Sequence, residues 1–150
     1  FLNTSRELLK GRPVTFQHGD YHTGNMMEEN GSLTIIDFDK CDWGDPWEEF
    51  NRIVWCAQLF PAFASGMVNG YFEDKVPDGF WPLLKIYISS NTLSSVSWGA
   101  AFSEEEAQVM LRQANEVVAW YDGMKGMIPS WYMSACPDNA SASPGASPAQ

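Results

Sequence analysis

The sequence has few cysteines, little positive charge and no long uninterrupted hydrophobic run. Its three cysteines form no C-x-x-C pair, which argues against a disulfide framework or a zinc knuckle and favours reduced thiols in a cytoplasm. Nine basic residues stand against nineteen acidic ones, for a net charge of −10. Nucleic acid and anionic membranes should therefore be repelled, whereas a cationic small molecule would not be. The longest uncharged stretches contain several Pro, Gly, Ser, Thr or Asn residues, which favours buried helices over membrane spans.

The chain is long enough for one domain with a real core. It has 150 residues, of which 45% are hydrophobic and 14% aromatic, so residues 1–133 are expected to fold. Residues 134–150 consist mostly of Ala, Ser and Pro and are expected to form a disordered tail. The sequence shows no signal peptide and begins with Phe rather than Met. We therefore expect it to belong to a longer protein.

The first third of the chain carries signals of β structure. Residues 1–10 look like the end of a helix, and the run PVTFQ that follows predicts a short strand. The segment NMMEENGSLTIIDF then has two extended runs around Asn30 and Gly31. Both turn positions of such a pair need positive φ, which makes this a strong hairpin signal. We predict a hairpin from about Asn25 to Phe38, packed on a mainly helical body, and hence an α+β fold.

The rest of the chain carries signals of helices. Apolar residues recur every three or four positions from Pro46 to Pro61 and predict one helix. A buried helix is predicted at about residues 81–101. Ser103 and Glu106 then form a capping box, followed by an apolar stripe that continues to Met124 and predicts another helix.

Two polar clusters, QHGDYHTGN and IIDFDKCDWGD, lie at the two ends of the predicted hairpin. Strand pairing would bring them together. Phosphoryl transfer needs a carboxylate that receives the proton of the attacking hydroxyl and hard oxygen ligands for Mg²⁺. Asp20 and Asn25 have the spacing of the base and the metal ligand in the kinase pattern H-R-D-x-x-x-x-N, and Asp37 occupies the position of the second metal ligand. The alternative is that these are ordinary turn residues beside a hairpin.

The runs HGDYHTGN and IIDFDKCDWGDPWEEF resemble the aminoglycoside phosphotransferase family, a small-molecule branch of the protein-kinase-like fold. The resemblance covers residues 13–56, and Gly19 stands where protein kinases carry Arg. It implies a kinase-like C-terminal lobe in which Asp20 is catalytic, Asn25 and Asp37 bind Mg²⁺, and His18 supports the loop. It also implies ATP as co-substrate and a small-molecule hydroxyl as acceptor, of the aminoglycoside type or a related one.

The sequence also departs from the family pattern. Neither a phosphate-covering loop nor a strand-borne lysine is found, so we expect a C-terminal lobe whose nucleotide cleft needs an N-terminal lobe. Asp39 stands where D-F-G kinases have Gly. The alternative to an enzyme is a truncated, catalytically inactive binding module of the same fold.

The remaining polar residues of the two clusters are interpreted structurally. His18 and His22 are expected to make hydrogen bonds that support the loop, since Mg²⁺ prefers oxygen ligands. Asp45 and Glu49 are expected to pair with a basic residue or to cap the helix near Pro46.

Two further groups of residues are assigned to the core and to the surface. Glu104, Glu105 and Glu106 are expected to form a solvated capping turn, although acidic residues there would also suit a polycationic acceptor. Five tryptophans are expected in the core: Trp47, Trp55, Trp81, Trp98 and Trp120.

Overall fold

The computed structural model describes residues 5–135. The expected disorder of the tail concerns residues 134–150, of which 136–150 lie outside the described residues, as do residues 1–4. A 3₁₀ helix at Arg6–Leu9 stands where the end of a helix was predicted.

Two small antiparallel sheets form the β part of the fold. Strand β2 (Met26–Glu29) pairs with β3 (Ser32–Ile35), and the turn residues Asn30 and Gly31 have φ values of 53° and 79°. The predicted hairpin is therefore confirmed. The turn chemistry explains it, because Asn and Gly tolerate left-handed backbone at low cost.

The second sheet joins β1 (Thr15–Gln17) to β4 (Asp42–Gly44). Strand β1 was predicted, but β4 was not, since it lies within the second polar cluster. Trp43 is paired with Phe16 across the two strands, and their rings meet edge to face at 6.0 Å. This cross-strand contact, rather than a local pattern, makes the segment a strand.

The helix predicted between Pro46 and Pro61 is divided into two pieces of different pitch. A 3₁₀ helix at Glu48–Arg52 leads into α1 (Ile53–Leu59). Helix α2 (Pro61–Tyr71) then begins with Pro61 in its first turn. Proline has no N–H to donate, so it ends one helix and suits the start of the next.

Two long helices complete the fold. Helix α3 (Phe80–Phe102) is followed by α4 (Glu104–Trp120). Ser103 Oγ accepts a hydrogen bond of 3.1 Å from the backbone N–H of Glu106, so the predicted N-cap is confirmed. No helix within residues 5–135 is both long enough and apolar enough to cross a membrane.

The core lies among the four helices and the segment that follows α4. Its largest fully buried apolar side chains are Tyr121, Phe80, Ile53, Leu84 and Ile88. The combination of helices with two small antiparallel sheets confirms the α+β class.

The second half of α3 corrects the prediction of a wholly buried helix. Buried residues are concentrated between Phe80 and Ile88. Further along, Leu93 is 63%, Trp98 54% and Phe102 69% exposed. The expectation that Trp98 belongs to the core is wrong, because its side chain lines a cavity and is more than half exposed.

The apolar stripe of α4 is wider than the face that the fold buries. Met110 and Val117 are buried, whereas Leu111 and Val118 are 42% and 45% exposed. Gln113 is buried instead, and its Nε2 donates to Gln58 Oε1 at 2.8 Å.

Candidate active site

The buried ring of His18 joins the two polar clusters. The backbone N–H of Asp20 lies 3.2 Å from His18 Nδ1. Because a backbone N–H can only donate, Nδ1 is the acceptor and the ring proton resides on Nε2. Nε2 then donates to the carbonyl of Ile36 at 2.8 Å. His18 thereby links the backbone of Asp20 to the residue that precedes Asp37.

Asn25 makes a second link between the same segments. Its Nδ2 donates to the carbonyl of Asp20 at 3.0 Å, and its own carbonyl accepts from the N–H of Ile36 at 3.0 Å. Because the amide nitrogen is engaged, Oδ1 is the atom of this side chain that can bind a cation. The segments that carry Asp20, Asn25 and Asp37 are thus joined by direct hydrogen bonds.

The carboxylate of Asp20 is held by two cations that the sequence analysis missed. Lys40 Nζ lies 2.8 Å from Oδ2, and Arg52 Nε lies 3.2 Å from Oδ1. Burial raises the pKa of Asp20, but the hydrogen bond from Lys40 and the charge of Arg52 outweigh it, and the pKa falls below its ordinary value of 3.8. Asp20 is therefore ionised at neutral pH. No local signal could have found these partners, because they lie 20 and 32 positions away in the chain.

His22 supports the turn that carries Asn25. Its Nδ1 accepts from the N–H of Gly24 at 3.0 Å, at the start of a 3₁₀ helix at Thr23–Asn25. Its Nε2 lies 3.7 Å from Asp20 Oδ1. Burial lowers the pKa of His22 and outweighs the opposing effect of Asp20, so the ring is neutral at neutral pH.

Glu49 holds the loop that contains Asp20, and the prediction that it caps a helix or pairs with a basic residue is wrong. Its Oε2 accepts from the N–H of His18 at 2.6 Å, and its Oε1 accepts from the N–H of Gly19 at 3.0 Å. Its place in the first turn of a short helix gave no indication of this distant contact.

Gly19 itself is required by the shape of the loop. Its φ is 78°, and a Cβ at this position would lie 2.1 Å from the carbonyl oxygen of Lys40. Side chains avoid this backbone conformation, and no heavy atom could occupy that space. The glycine therefore allows the first polar cluster to approach the second.

Asp45 lies outside this network and anchors the N-terminal segment. Arg12 donates from Nε to Oδ2 at 2.6 Å and from Nη2 to Oδ1 at 3.0 Å. Oδ2 also accepts from the Tyr87 hydroxyl at 2.5 Å, and Oδ1 from the N–H of Trp47 at 3.0 Å. Burial opposes ionisation, but these hydrogen bonds outweigh it and lower the pKa of Asp45. Asp45 thus pairs with a basic residue and receives an N–H near the helix start, as its sequence position predicted.

Asp37 and Asp39 are both exposed on the segment after β3. Asp37 has a φ of 64°, a conformation that is costly for a residue other than Gly and that recurs at functional sites. Among residues 5–135, no group of three or more His, Cys, Asp or Glu side chains is positioned to hold a metal ion by itself. A Mg²⁺ ion here would need further oxygen ligands, which substrate phosphates commonly provide.

Comparison with known proteins identifies the family of the chain. A model of the phosphotransferase enzyme family matches residues 3–81, which is more than half of the chain. The chain belongs to this family, and the resemblance seen in the sequence is confirmed. No curated protein and no solved structure matches the chain.

Proposed function

We propose that this chain forms the C-terminal lobe of a kinase-like enzyme that uses Mg²⁺ and ATP to phosphorylate a hydroxyl group of a small molecule. The observation that carries the proposal is the joined network of Asp20, Asn25 and the segment of Asp37, in a chain that belongs to a phosphotransferase family. In the reaction, the acceptor oxygen forms a bond to the γ-phosphorus, the bond between this phosphorus and the β,γ-bridging oxygen breaks, and ADP leaves.

Asp20 is the residue that faces the acceptor in this proposal. Its ionised carboxylate can accept a hydrogen bond from the acceptor hydroxyl, align that oxygen for attack and take up the proton as the bond to phosphorus forms. Lys40 and Arg52 lower the pKa of this carboxyl, which makes it a weak base. Asp20 therefore acts mainly by orienting the hydroxyl and receives the proton late.

Asn25 and Asp37 suit a magnesium ion by the chemistry of their donor atoms. The amide nitrogen of Asn25 is engaged with Asp20, so its oxygen is available, and Asp37 contributes an exposed carboxylate. Both are hard oxygen donors of the kind that Mg²⁺ prefers. When bound with ATP, the ion would offset the negative charge on the transferred phosphoryl group.

The proposal is tested on the full-length protein that contains this sequence. ATP-dependent phosphorylation of hydroxylated acceptors is followed by ³¹P NMR. Asp20→Asn, which keeps the shape and removes the charge, should lower turnover by roughly a hundredfold or more. Asp37→Asn should abolish transfer, and Mg²⁺ should not restore it.

Asp78→Asn is the matched control, since Asp78 is exposed and lies before α3, outside the network. It should leave turnover unchanged. Full activity in the Asp20 and Asp37 variants would overturn the assignment. Binding of acceptors without any transfer by the unmodified protein would favour the inactive binding module.

A further inference from the structure

A cavity of about 710 Å³ opens beside Asp20 and is lined by residues of α1, α3 and α4. Helix α3 contributes Asn91, Ser94, Ser95 and Trp98. These positions follow the spacing i, i+3, i+4 and i+7, so they lie along one face of the helix. The lining also includes Trp55 and Met110. The cavity thus combines aromatic walls with a row of short polar side chains.

Trp98 lies on this wall and is 54% exposed. Its ring is stacked on Phe102, with the ring centroids 5.0 Å apart and the planes at 18°. The stacking holds a large apolar surface in position without burying it. Such a surface is suited to a flat or ring-shaped ligand.

The polar face of α3 has unused hydrogen-bonding capacity. Asn91 Nδ2 is buried and has no hydrogen-bond partner within residues 5–135, although buried amides are nearly always paired. Asn91 also borders the neighbouring cavity that contains Arg12 and Tyr87. Together with the hydroxyls of Ser94 and Ser95, this amide favours a ligand with several hydroxyl groups over an apolar one.

A close approach between α3 and α4 brings an acidic residue to the cavity. A Cβ on Gly99 would lie 3.1 Å from both the carbonyl oxygen of Glu106 and Cγ of Met110. A side chain at this position would crowd both atoms, so glycine favours the close packing of the two helices next to Trp98. Glu106 and Met110 of α4 therefore reach the same cavity as Trp98.

The charges around the cavity limit the charge of the ligand. Its lining contains two acidic residues, Asp20 and Glu106, two basic residues, Lys40 and Arg52, and the neutral His22. Asp20 is paired with both cations. Among the described residues, Glu106 forms no ion pair, so it is the one acidic group on this wall available to a ligand ammonium. A polycation in this cavity would be repelled by Lys40 and Arg52, and a single free carboxylate, that of Glu106, could pair with its ammonium groups.

We propose that this cavity binds the phosphoryl acceptor and that the acceptor is a hydroxylated ring with a single amino group, such as an amino-substituted sugar. The inference rests on the proposed function. The apolar face of the ring packs on Trp98, its hydroxyls contact Asn91, Ser94 and Ser95, and its ammonium pairs with Glu106. One of its hydroxyls then faces Asp20.

The test measures binding by isothermal titration calorimetry, which needs no catalysis. The probes are methyl glucosaminide, with one amine, methyl glucoside, with none, and the polyamine kanamycin. Methyl glucosaminide should bind most tightly. Trp98→Ala should weaken its binding about tenfold, as expected for the loss of an aromatic contact. Glu106→Gln should weaken the binding of methyl glucosaminide but leave the binding of methyl glucoside unchanged.

Two matched variants control for general effects. Trp43→Ala removes a tryptophan that is 72% exposed and lies outside the cavity, and Glu105→Gln removes the neighbouring acidic charge. Neither should change the binding of methyl glucosaminide. The inference would be overturned if kanamycin bound more tightly than methyl glucosaminide. It would also be overturned if neither Trp98→Ala nor Glu106→Gln changed the binding of methyl glucosaminide.

The phosphoryl-transfer assay separates this inference from the proposed function. If transfer depends on Asp20 but KM does not respond to Trp98→Ala, the acceptor binds elsewhere and only the cavity assignment fails. If methyl glucosaminide binds and responds to Trp98 and Glu106 while no transfer occurs, the binding site stands and the proposed reaction fails.

Discussion

Glu49 Oε2 accepts a hydrogen bond of 2.6 Å from the backbone N–H of His18. The same carboxylate also receives the N–H of Gly19 at 3.0 Å. The loop that carries Asp20 is therefore held in place by a residue of the 3₁₀ helix at Glu48–Arg52. Since His18 in turn contacts Ile36, a change at Glu49 should affect both polar clusters.

Glu49→Ala should destabilise the protein by about 2 kcal/mol, because it leaves partly buried N–H groups unpaired. It should also lower turnover, since Asp20 loses its fixed position. Glu48→Ala is the matched control, because Glu48 makes no hydrogen bond to this loop among the described residues. Urea denaturation and the phosphoryl-transfer assay give the two readouts. Equal stability of the two variants would contradict the role assigned to Glu49.

Gly19→Ala and Gly31→Ala form a pair with the same backbone strain and different surroundings. Both glycines have φ near 80°, at 78° for Gly19 and 79° for Gly31. A Cβ at Gly19 would collide with a carbonyl oxygen, whereas a Cβ at Gly31 would have no atom within 4 Å. We expect Gly31→Ala to cost about 1 kcal/mol from backbone conformation alone. Gly19→Ala should cost roughly 3 kcal/mol or more. Similar losses in thermal or urea unfolding would mean that the loop moves aside easily.

Tyr87→Phe tests the buried anchor at Asp45. The hydroxyl donates to Asp45 Oδ2 at 2.5 Å, and both residues are buried. Removing a buried hydrogen bond to a charged group should cost about 1.5–3 kcal/mol. Tyr71→Phe should change the free energy of unfolding little, because Tyr71 is 51% exposed. If the two variants unfold alike in urea at neutral pH, the hydroxyl contributes nothing to the anchor.

The dependence of stability on pH tests the same carboxylate. The pKa of Asp45 is lowered in the folded state from an ordinary value of 3.8. Its stabilising contribution is therefore present above about pH 4 and is lost as the pH falls through the folded-state pKa. Asp45→Asn should flatten the loss of stability below about pH 4, whereas Asp78→Asn should leave the slope unchanged. An unchanged slope in Asp45→Asn would show that other carboxylates dominate acid unfolding.

Lys40→Met tests the electrostatics of Asp20 through the pH profile of activity. Lys40 lowers the pKa of Asp20, so its removal should raise this pKa. The acid limb of kcat/KM should then move to higher pH, because ionised Asp20 becomes scarce earlier on acidification. Lys75→Met removes an equal charge from an exposed site elsewhere and should leave the limb in place. If the acid limb of the Lys40→Met variant stays at its original pH, Lys40 does not set the pKa of Asp20.

The sequence by itself determined the elements whose signals are local. Asn30 and Gly31 specified the hairpin turn because few residue pairs accept positive φ at both positions. Ser103 specified the start of α4, because a side chain that caps a helix bonds only a few residues ahead. The H-G-D and D-F-D motifs likewise indicated the family, since their residue types and spacing are fixed by the chemistry.

Only the tertiary structure decided which distant groups meet and which surfaces remain open. The pairing of Asp20 with Arg52 and the contact of Glu49 with His18 join segments about 30 positions apart. Such contacts leave no periodic trace in the sequence. The exposure of Trp98 was also decided at this level, because an apolar side chain is buried only where a neighbouring element covers it, and the described residues leave more than half of Trp98 uncovered.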